Sequence, residues 1–366
     1  MIKELRDLQS RIAEKCAIIG VSEQSELEYF HHNAFISTIG ASTRIENAVL
    51  TDQEIDWVDT ILTEEGKTTA FEAKKTYIFN KLSKDKERSI EEVVGCREIL
   101  TTVYLQAKEL LPLKEITIRG LHHDLLRYYP DAIEYAGGYK TAPNKVVSKN
   151  HETGETRTVL DPAAPGIETE TAMADLVDWY NRTYRDHPWP LLIATEFVFR
   201  FLAIHPFKDG NGRLGRALFL MSLLQADDTY LRRVIPYISL DRHIEQNRGT
   251  YYTVLRQCSD GKFQSDPSLY KLEHLAWFFI KMMDAALTDI DVYRKKYALY
   301  KGLPDSHLAV LNVFKNSPEK RLQLATIETE VDLNKRTVQR ALTVLLEGGF
   351  IQVRGKGPAR KYQLVF

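Results

Sequence analysis

Apolar residues recur at helical spacing over most of this chain, and that pattern restricts the fold more than any other feature of the sequence. The spacing predicts helices over 1–20, 26–47, 52–62, 88–111, 169–184, 190–204, 213–226, 243–258 and 270–298. With 366 residues, 44% of them hydrophobic, the chain has enough apolar surface for two or three domains. No internal repeat is evident. One region departs from the pattern. Within 137–162, Val146-Val147 and Thr158-Val159-Leu160 flank the polar run His151-Glu152-Thr153-Gly154, which predicts a hairpin or extended flap. Residues 63–88, rich in Lys, Glu and Thr, read as a solvated helical or irregular insertion.

A net charge of −1 gives the whole chain no nucleic-acid signature. Cys16, Cys96 and Cys258 are widely spaced and form no metal-ligand pattern, which predicts a reduced, cytoplasmic protein. The N-terminal residues mix both charges, unlike a signal peptide, and no apolar run reaches the roughly 18 residues of a membrane span. A boundary falls near Lys301-Gly302-Leu303-Pro304. Beyond it, residues 304–366 hold ten Lys/Arg and six Asp/Glu, a difference of +4.

The chemistry concentrates in His205-Pro206-Phe207-Lys208-Asp209-Gly210-Asn211-Gly212-Arg213-Leu214-Gly215-Arg216. The apolar helix before it ends at His205-Pro206, because proline disfavours a helical predecessor. Gly210 and Gly212 permit a tight turn, and a second helix starts there. A helix N-terminus offers free N–H groups and a positive dipole end to phosphate oxygens. Arg213 and Arg216, three apart, share a face and match polyphosphate in geometry. Asp209 alone would repel phosphate, so a Mg²⁺ bridging it to the phosphates is the economical explanation. His205, with an ordinary pKa near ~6.5, is a base able to take a proton from an attacking hydroxyl. Together these predict a phosphoryl- or nucleotidyl-transfer site. Gly210 to Gly215 also fits the dinucleotide fingerprint G-x-G-x-x-G, but that needs a preceding strand and a βαβ unit, and the segment before it reads as a helix.

This stretch resembles the signature of the Fic family, His-Pro-Phe-x-Asp/Glu-Gly-Asn-Gly-Arg-x-x-Arg, with every fixed position met. The resemblance implies a mainly α fold, with a Fic-type helical core and a small β-hairpin flap. It implies transfer of AMP from ATP to a Ser, Thr or Tyr hydroxyl of a target protein. His205 would be the base and Asp209 the Mg²⁺ ligand. Gly210, Asn211 and Gly212 would form the anion cradle, and Arg213 and Arg216 would contact the phosphates. Residues 115–146, with Leu121-His122 and Gly138-Tyr139-Lys140, look like the helix and flap that precede the motif in this family. The family often has Arg where Lys140 stands, so no specific role passes to Lys140. An exposed flap edge is suited to pairing with an extended target segment. Asn247 and Tyr251, four apart, share a helix face, and the family places an Asn and a Tyr pair near the adenine. The adjacent pairs His31-His32 and His122-His123 point apart on a helix and read as structural or surface residues, not metal ligands.

Ser42-Thr43-Arg44-Ile45-Glu46-Asn47 resembles the family's inhibitory pattern, Ser/Thr-x-x-x-Glu-Gly/Asn. It implies that Glu46 pairs with Arg216 and takes the place of the γ-phosphate. The tail resembles a winged helix–turn–helix. Lys335 to Leu346 would be its recognition helix, and Phe350–Val353 and Lys361–Val365 its strands, joined by a basic wing from Arg354 to Arg360. The expected domains are an N-terminal helical region with the inhibitory helix (1–110), a catalytic core (111–300) and the winged helix (304–366). The expected partners are target proteins, the chain itself as a substrate, and DNA through 304–366, with no membrane and with oligomerisation open. Removal of AMP in the same site, with Glu46 orienting water, is a further implied reaction. The contrasting reading is a DNA-binding regulator whose Fic-like domain senses a ligand.

Overall fold

The computed structural model describes residues 1–64, 67–149, 156–185, 187–319, 321–355 and 360–365. The polar turn expected at 151–154 and residues 356–359 of the expected wing lie outside the described residues. The fold is mainly α. In chain order the helices are α1 (Ile2–Val21), α2 (Gln24–Ile45), α3 (Asp52–Leu62), α4 (Phe71–Lys81), α5 (Glu87–Gln106), α6 (Glu115–Leu126), α7 (Ile167–Thr183), α8 (Pro190–Ile204) and α9 (Asn211–Gln225). There follow α10 (Thr229–Val234), α11 (Leu240–Gln246), α12 (Arg248–Gln257), α13 (Glu273–Ala286), α14 (Asp289–Lys301), α15 (Asp305–Lys315), α16 (Leu324–Glu330) and α17 (Lys335–Glu347). The strands β1 (Thr63–Glu64) and β2 (Lys67–Thr68), β3 (Val146–Lys149) and β4 (Thr156–Leu160), and β5 (Ile351–Arg354) and β6 (Lys361–Leu364) form three antiparallel pairs. Among the described residues, no helix is long and apolar enough to cross a membrane.

The long helices stand close to where apolar spacing places them. Two expected ones are broken. The stretch 243–258 divides at Asn247, which ends α11 and begins α12, and 270–298 divides between α13 and α14. Spacing alone carries a pattern across such a break, because each half repeats buried residues at helical intervals. The expected flap is the β3–β4 hairpin, registered Val146 to Leu160 and Lys149 to Thr156.

The chain divides into two compact units, 1–48 with 88–290, and 49–87 with 291–366. In the first, α8 and α9 pack as an antiparallel pair joined by a short loop, and both are buried on nearly every face. That is why their sequences are apolar all round instead of striped. Phe219 stacks on Phe279 and Tyr180 on Phe197, each at 4.3 Å between centroids. The small residues Gly40, Ala41, Ser42 and Thr43 of α2 are buried too, and they let its last turns approach α11 closely. A two-pronged ion pair, Arg44 to Glu245 at 2.7 and 3.0 Å, fixes that end of α2.

In the second unit, α15, α16 and α17 and the β5–β6 hairpin enclose Val310, Phe314, Ile327, Val338, Leu342, Leu345 and Phe350. Asn334 caps α17 by accepting the Thr337 N–H at 3.0 Å. The segment 49–87 belongs to this unit: Gln53 donates to the Leu364 carbonyl, and Lys86 bridges Glu54 at 2.5 Å and Glu319 at 2.8 Å.

Candidate active site

The site begins where α8 ends. His205 takes a left-handed backbone (φ 49°, ψ 59°), which stops the helix before Pro206. For a residue other than glycine this costs about 1 kcal/mol or more, a strain tolerated where the fold over-determines it. Its N–H donates to Phe201 O at 2.9 Å, and its Nδ1 lies 3.3 Å from Leu202 O. A carbonyl only accepts, so the imidazole proton sits on Nδ1 and Nε2 keeps its lone pair. Burial, and then the Lys140 ammonium, hold the imidazole pKa down at about 4. The ring is therefore neutral at physiological pH, the form a general base requires.

The loop is closed from inside. Asn211 accepts the Phe207 N–H at 3.0 Å and donates to Phe207 O at 2.7 Å. Its side chain thus shapes the loop, and its backbone begins α9. Phe207 is fully buried and stacks on His122 at 3.7 Å. The Gly137 N–H donates to His122 Nδ1 at 2.8 Å, so His122 Nε2 carries the proton and donates to Asp209 O at 2.9 Å. Burial lowers the His122 pKa to about 4, and the ring acts as a neutral spacer under the loop. Gly210 turns the chain into α9 at φ +78°, and a Cβ there would crowd Leu125 and His122.

The two arginines differ in their partners. Arg213 is buried 3.6 Å from Asp209 Oδ1 and 3.9 Å from Glu92 Oε1. Its Nε and Nη1 have no hydrogen-bond partner among the described residues. Buried guanidinium donors left unmatched are costly. Asp209 is half-exposed and accepts the Gly210 N–H at 2.6 Å. Arg216 is engaged through Nε and Nη2. It donates through Nε to Ser42 Oγ at 3.0 Å and through Nη2 to Ser42 O at 2.7 Å and Glu46 Oε1 at 2.9 Å. Asp241 stands 3.7 Å from its Nε. Burial works against the Arg216 charge, but Glu46 and Asp241 outweigh it and push its pKa up.

Glu46 sits one residue past α2, and Asn47, left-handed at φ 73°, turns the chain away and accepts from Arg248 at 3.0 Å. The Glu46 carboxylate lies over Gly212, where an added Cβ would collide with it. A carboxylate thus occupies the first turn of α9, where the dipole end favours an anion. The same carboxylate borders a small, mostly apolar cleft, with Arg216, Tyr251, Tyr252, Leu202 and Leu255 in its walls. The flap adds Val146, Val159 and Leu160.

The structure brings His205, Asp209, Gly210, Gly212, Arg213, Arg216, Ser42 and Glu46 to one place. Of the expected adenine pair, Tyr251 lines the cleft. Asn247 is exposed, donates to His243 O at 2.9 Å and is not among the cleft's lining residues. Gly138, Tyr139 and Lys140 precede the hairpin: Tyr139 donates to Glu115 at 2.7 Å, and Lys140 is buried against the loop. Tyr252, read in sequence beside Tyr251, lines the cleft with it. Sequence reasoning missed Asp241, Asn144 and the flap valines as site residues, because they come from different elements with no local signature. Among the described residues, no three His, Cys, Asp or Glu side chains gather as a metal site.

Residues 112–223 match the Fic/DOC family. Protein adenylyltransferase Fic of Drosophila willistoni is 29% identical over 203 residues, 54% of this chain and 35% of that protein, so the chain spans about a third of the length of that relative. Among solved structures, a Fic domain containing signaling protein from Bacteroides thetaiotaomicron superposes with a TM-score of 0.54 at 23% identity, over 79% of this chain and 97% of that one. A Fic family protein from Desulfovibrio desulfuricans does so with a TM-score of 0.54 at 20% identity, over 99% and 96%. The chain therefore carries a Fic/DOC-family domain, built around the helix–loop–helix that runs from His205 to Arg216.

Proposed function

We propose that this chain transfers AMP from ATP to a Ser, Thr or Tyr hydroxyl of a target protein, in a site held idle by Glu46. The observation that carries the reading is Arg213, a buried guanidinium with two unmatched donor nitrogens in the first turn of α9, eight residues after the neutral His205. Phosphate oxygens are acceptors of the right charge and geometry for it. The family relation and the relative named adenylyltransferase support AMP as the group moved.

In this reading the target hydroxyl oxygen bonds to the α-phosphorus of ATP as the bond to the β-phosphate oxygen breaks and pyrophosphate leaves. The hydroxyl proton passes to His205 Nε2. Arg213 and the α9 amides hold the phosphates, and the apolar cleft beside Tyr251 and Tyr252 takes the base. Asp209 fits a Mg²⁺ shared with the phosphates, because the ion keeps most of its ligands from phosphate and water and needs one half-exposed carboxylate. When bound it would neutralise phosphate charge. Strand β3 pairs only with β4 among the described residues, and its free edge suits an extended target segment. Incubation with labelled ATP and a cell lysate, followed by mapping of labelled peptides, tests the proposal. Label on no protein, including the chain itself, would overturn it.

Asp209→Ala is expected to remove the Mg²⁺ dependence of productive ATP binding. Calorimetry with ATP, with and without Mg²⁺, checks this, and equal dependence in mutant and parent would remove Asp209 as a ligand.

A second reading concerns the second unit, whose helix α17 leaves Lys335, Arg336 and Arg340 exposed opposite its buried face of Val338, Ala341 and Leu342. This supports DNA contact by a recognition helix, with the β5–β6 hairpin as wing. Because 49–87 packs into this unit, the test uses the full chain. Duplex binding should weaken steeply as salt rises, and Ala at all three positions should reduce it. Retention on DNA without ATP turnover would favour a ligand-sensing regulator over an enzyme.

A further inference from the structure

Residues Lys140 and Asn144 capture four successive carbonyls of the catalytic loop. Lys140 Nζ donates to Ile204 O at 3.0 Å and its backbone N–H to Pro206 O at 2.8 Å. Asn144 Nδ2 donates to Phe207 O at 2.9 Å and, more loosely, to His205 O at 3.4 Å. Lys140 Nζ also donates to Asn144 Oδ1 at 3.0 Å, which fixes the amide with its Nδ2 toward the loop.

A buried ammonium is expensive unless something compensates it. Lys140 is only 4% exposed, yet both its side-chain acceptors are neutral: an amide and the last carbonyl of α8. A cation at a helix C-terminus gains from the dipole. Asp161 and Glu168 act on it through space. Burial lowers its pKa to about 8, which leaves it mostly charged at neutral pH. Among the charged groups that act on His205 are Lys140, Glu46 and Asp209. The two carboxylates favour the imidazolium, and Lys140 opposes it.

We propose that Lys140 is a positioning residue of this site: with Asn144 it clamps the carbonyls from Ile204 to Phe207, fixing the backbone that carries His205 and placing a positive charge beside its ring. The consequence for rate rests on the nucleotidyl-transfer reading, whereas the clamp and its charge are read without it.

The test is a histidine-selective NMR titration of the full chain, with His205 assigned by loss of its signal in His205→Gln. Lys140→Met removes the charge and keeps the stem, so protonation of His205 should move up by about half a pH unit or more. Lys140→Arg keeps the charge and should titrate like the parent. Equal titration in all three proteins would overturn the proposal. If Lys140→Met does not fold, Asn144→Ala decides it. That variant keeps the charge and breaks half the clamp, so hydrogen exchange over 201–210 should quicken about tenfold or more. Unchanged exchange would overturn the clamp. These readouts need no turnover: shifts without AMP transfer would keep the clamp and sink the reaction, and AMP transfer without shifts would do the reverse.

Discussion

Glu46→Gly is expected to raise AMP transfer, including self-modification, by at least about one order of magnitude. Arg216 serves one anion at a time through Nη2, and Glu46 Oε1 holds it at 2.9 Å. The same carboxylate covers Gly212, on the first turn of α9. ATP bound beside it would have its polyphosphate displaced, and a misplacement of about 1 Å from in-line geometry costs ~10²-fold in rate. Glycine removes both the charge and the obstruction. Arg216 would not be left adrift, since Ser42 still accepts from its Nε and Nη2 and Asp241 remains as counter-ion. Added to Arg216→Ala, the Glu46 change should give little gain, because the two residues act through one contact. Incorporation of labelled AMP by the parent, both single variants and the double variant measures this. A Glu46→Gly protein no more active than the parent returns Glu46 to the status of a helix-end carboxylate.

His205→Ala is expected to leave nucleotide binding largely intact and to lower transfer by about 10²–10⁴-fold, the usual contribution of a positioned general base. No hydrogen bond from His205 reaches the arginines or the α9 amides among the described residues, so the loss should fall on turnover and not on affinity. In the Glu46→Gly background the loss is easiest to read. The pH profile carries a second expectation. Because the imidazole is held at about 4, well below its ordinary value, its base form persists into mild acid, and transfer should fall only as pH drops toward that value. An undiminished rate in His205→Ala at saturating Mg-ATP would remove His205 from the mechanism.

Much of the site was readable because it is local. The loop from His205 to Arg216 is one contiguous run, and proline, glycine and the apolar helix before it state where helices end and begin. The Ser42 to Asn47 run was readable only beside that loop, since its own spacing is short. Asn247 shows the limit of helical phase: it shares a face with Tyr251 in a continuous helix, but the break between α11 and α12 falls on it. Likewise 49–87, adjacent in sequence to α2 and α5, packs with 291–366, a choice made by side chains such as Gln53 and Lys86.

The sequence by itself determined the helical architecture, the flap and the run from His205 to Arg216 that carries the candidate site, because periodicity, turn residues and a contiguous motif act over a few residues. Only the tertiary structure decided how the groups of that run are tuned. It set Arg213 with unmatched donors and Arg216 satisfied by Ser42, Glu46 and Asp241, and it kept His205 neutral beside the buried Lys140. Burial and the approach of charges from distant elements govern such states, and neither is a property of any short stretch of chain.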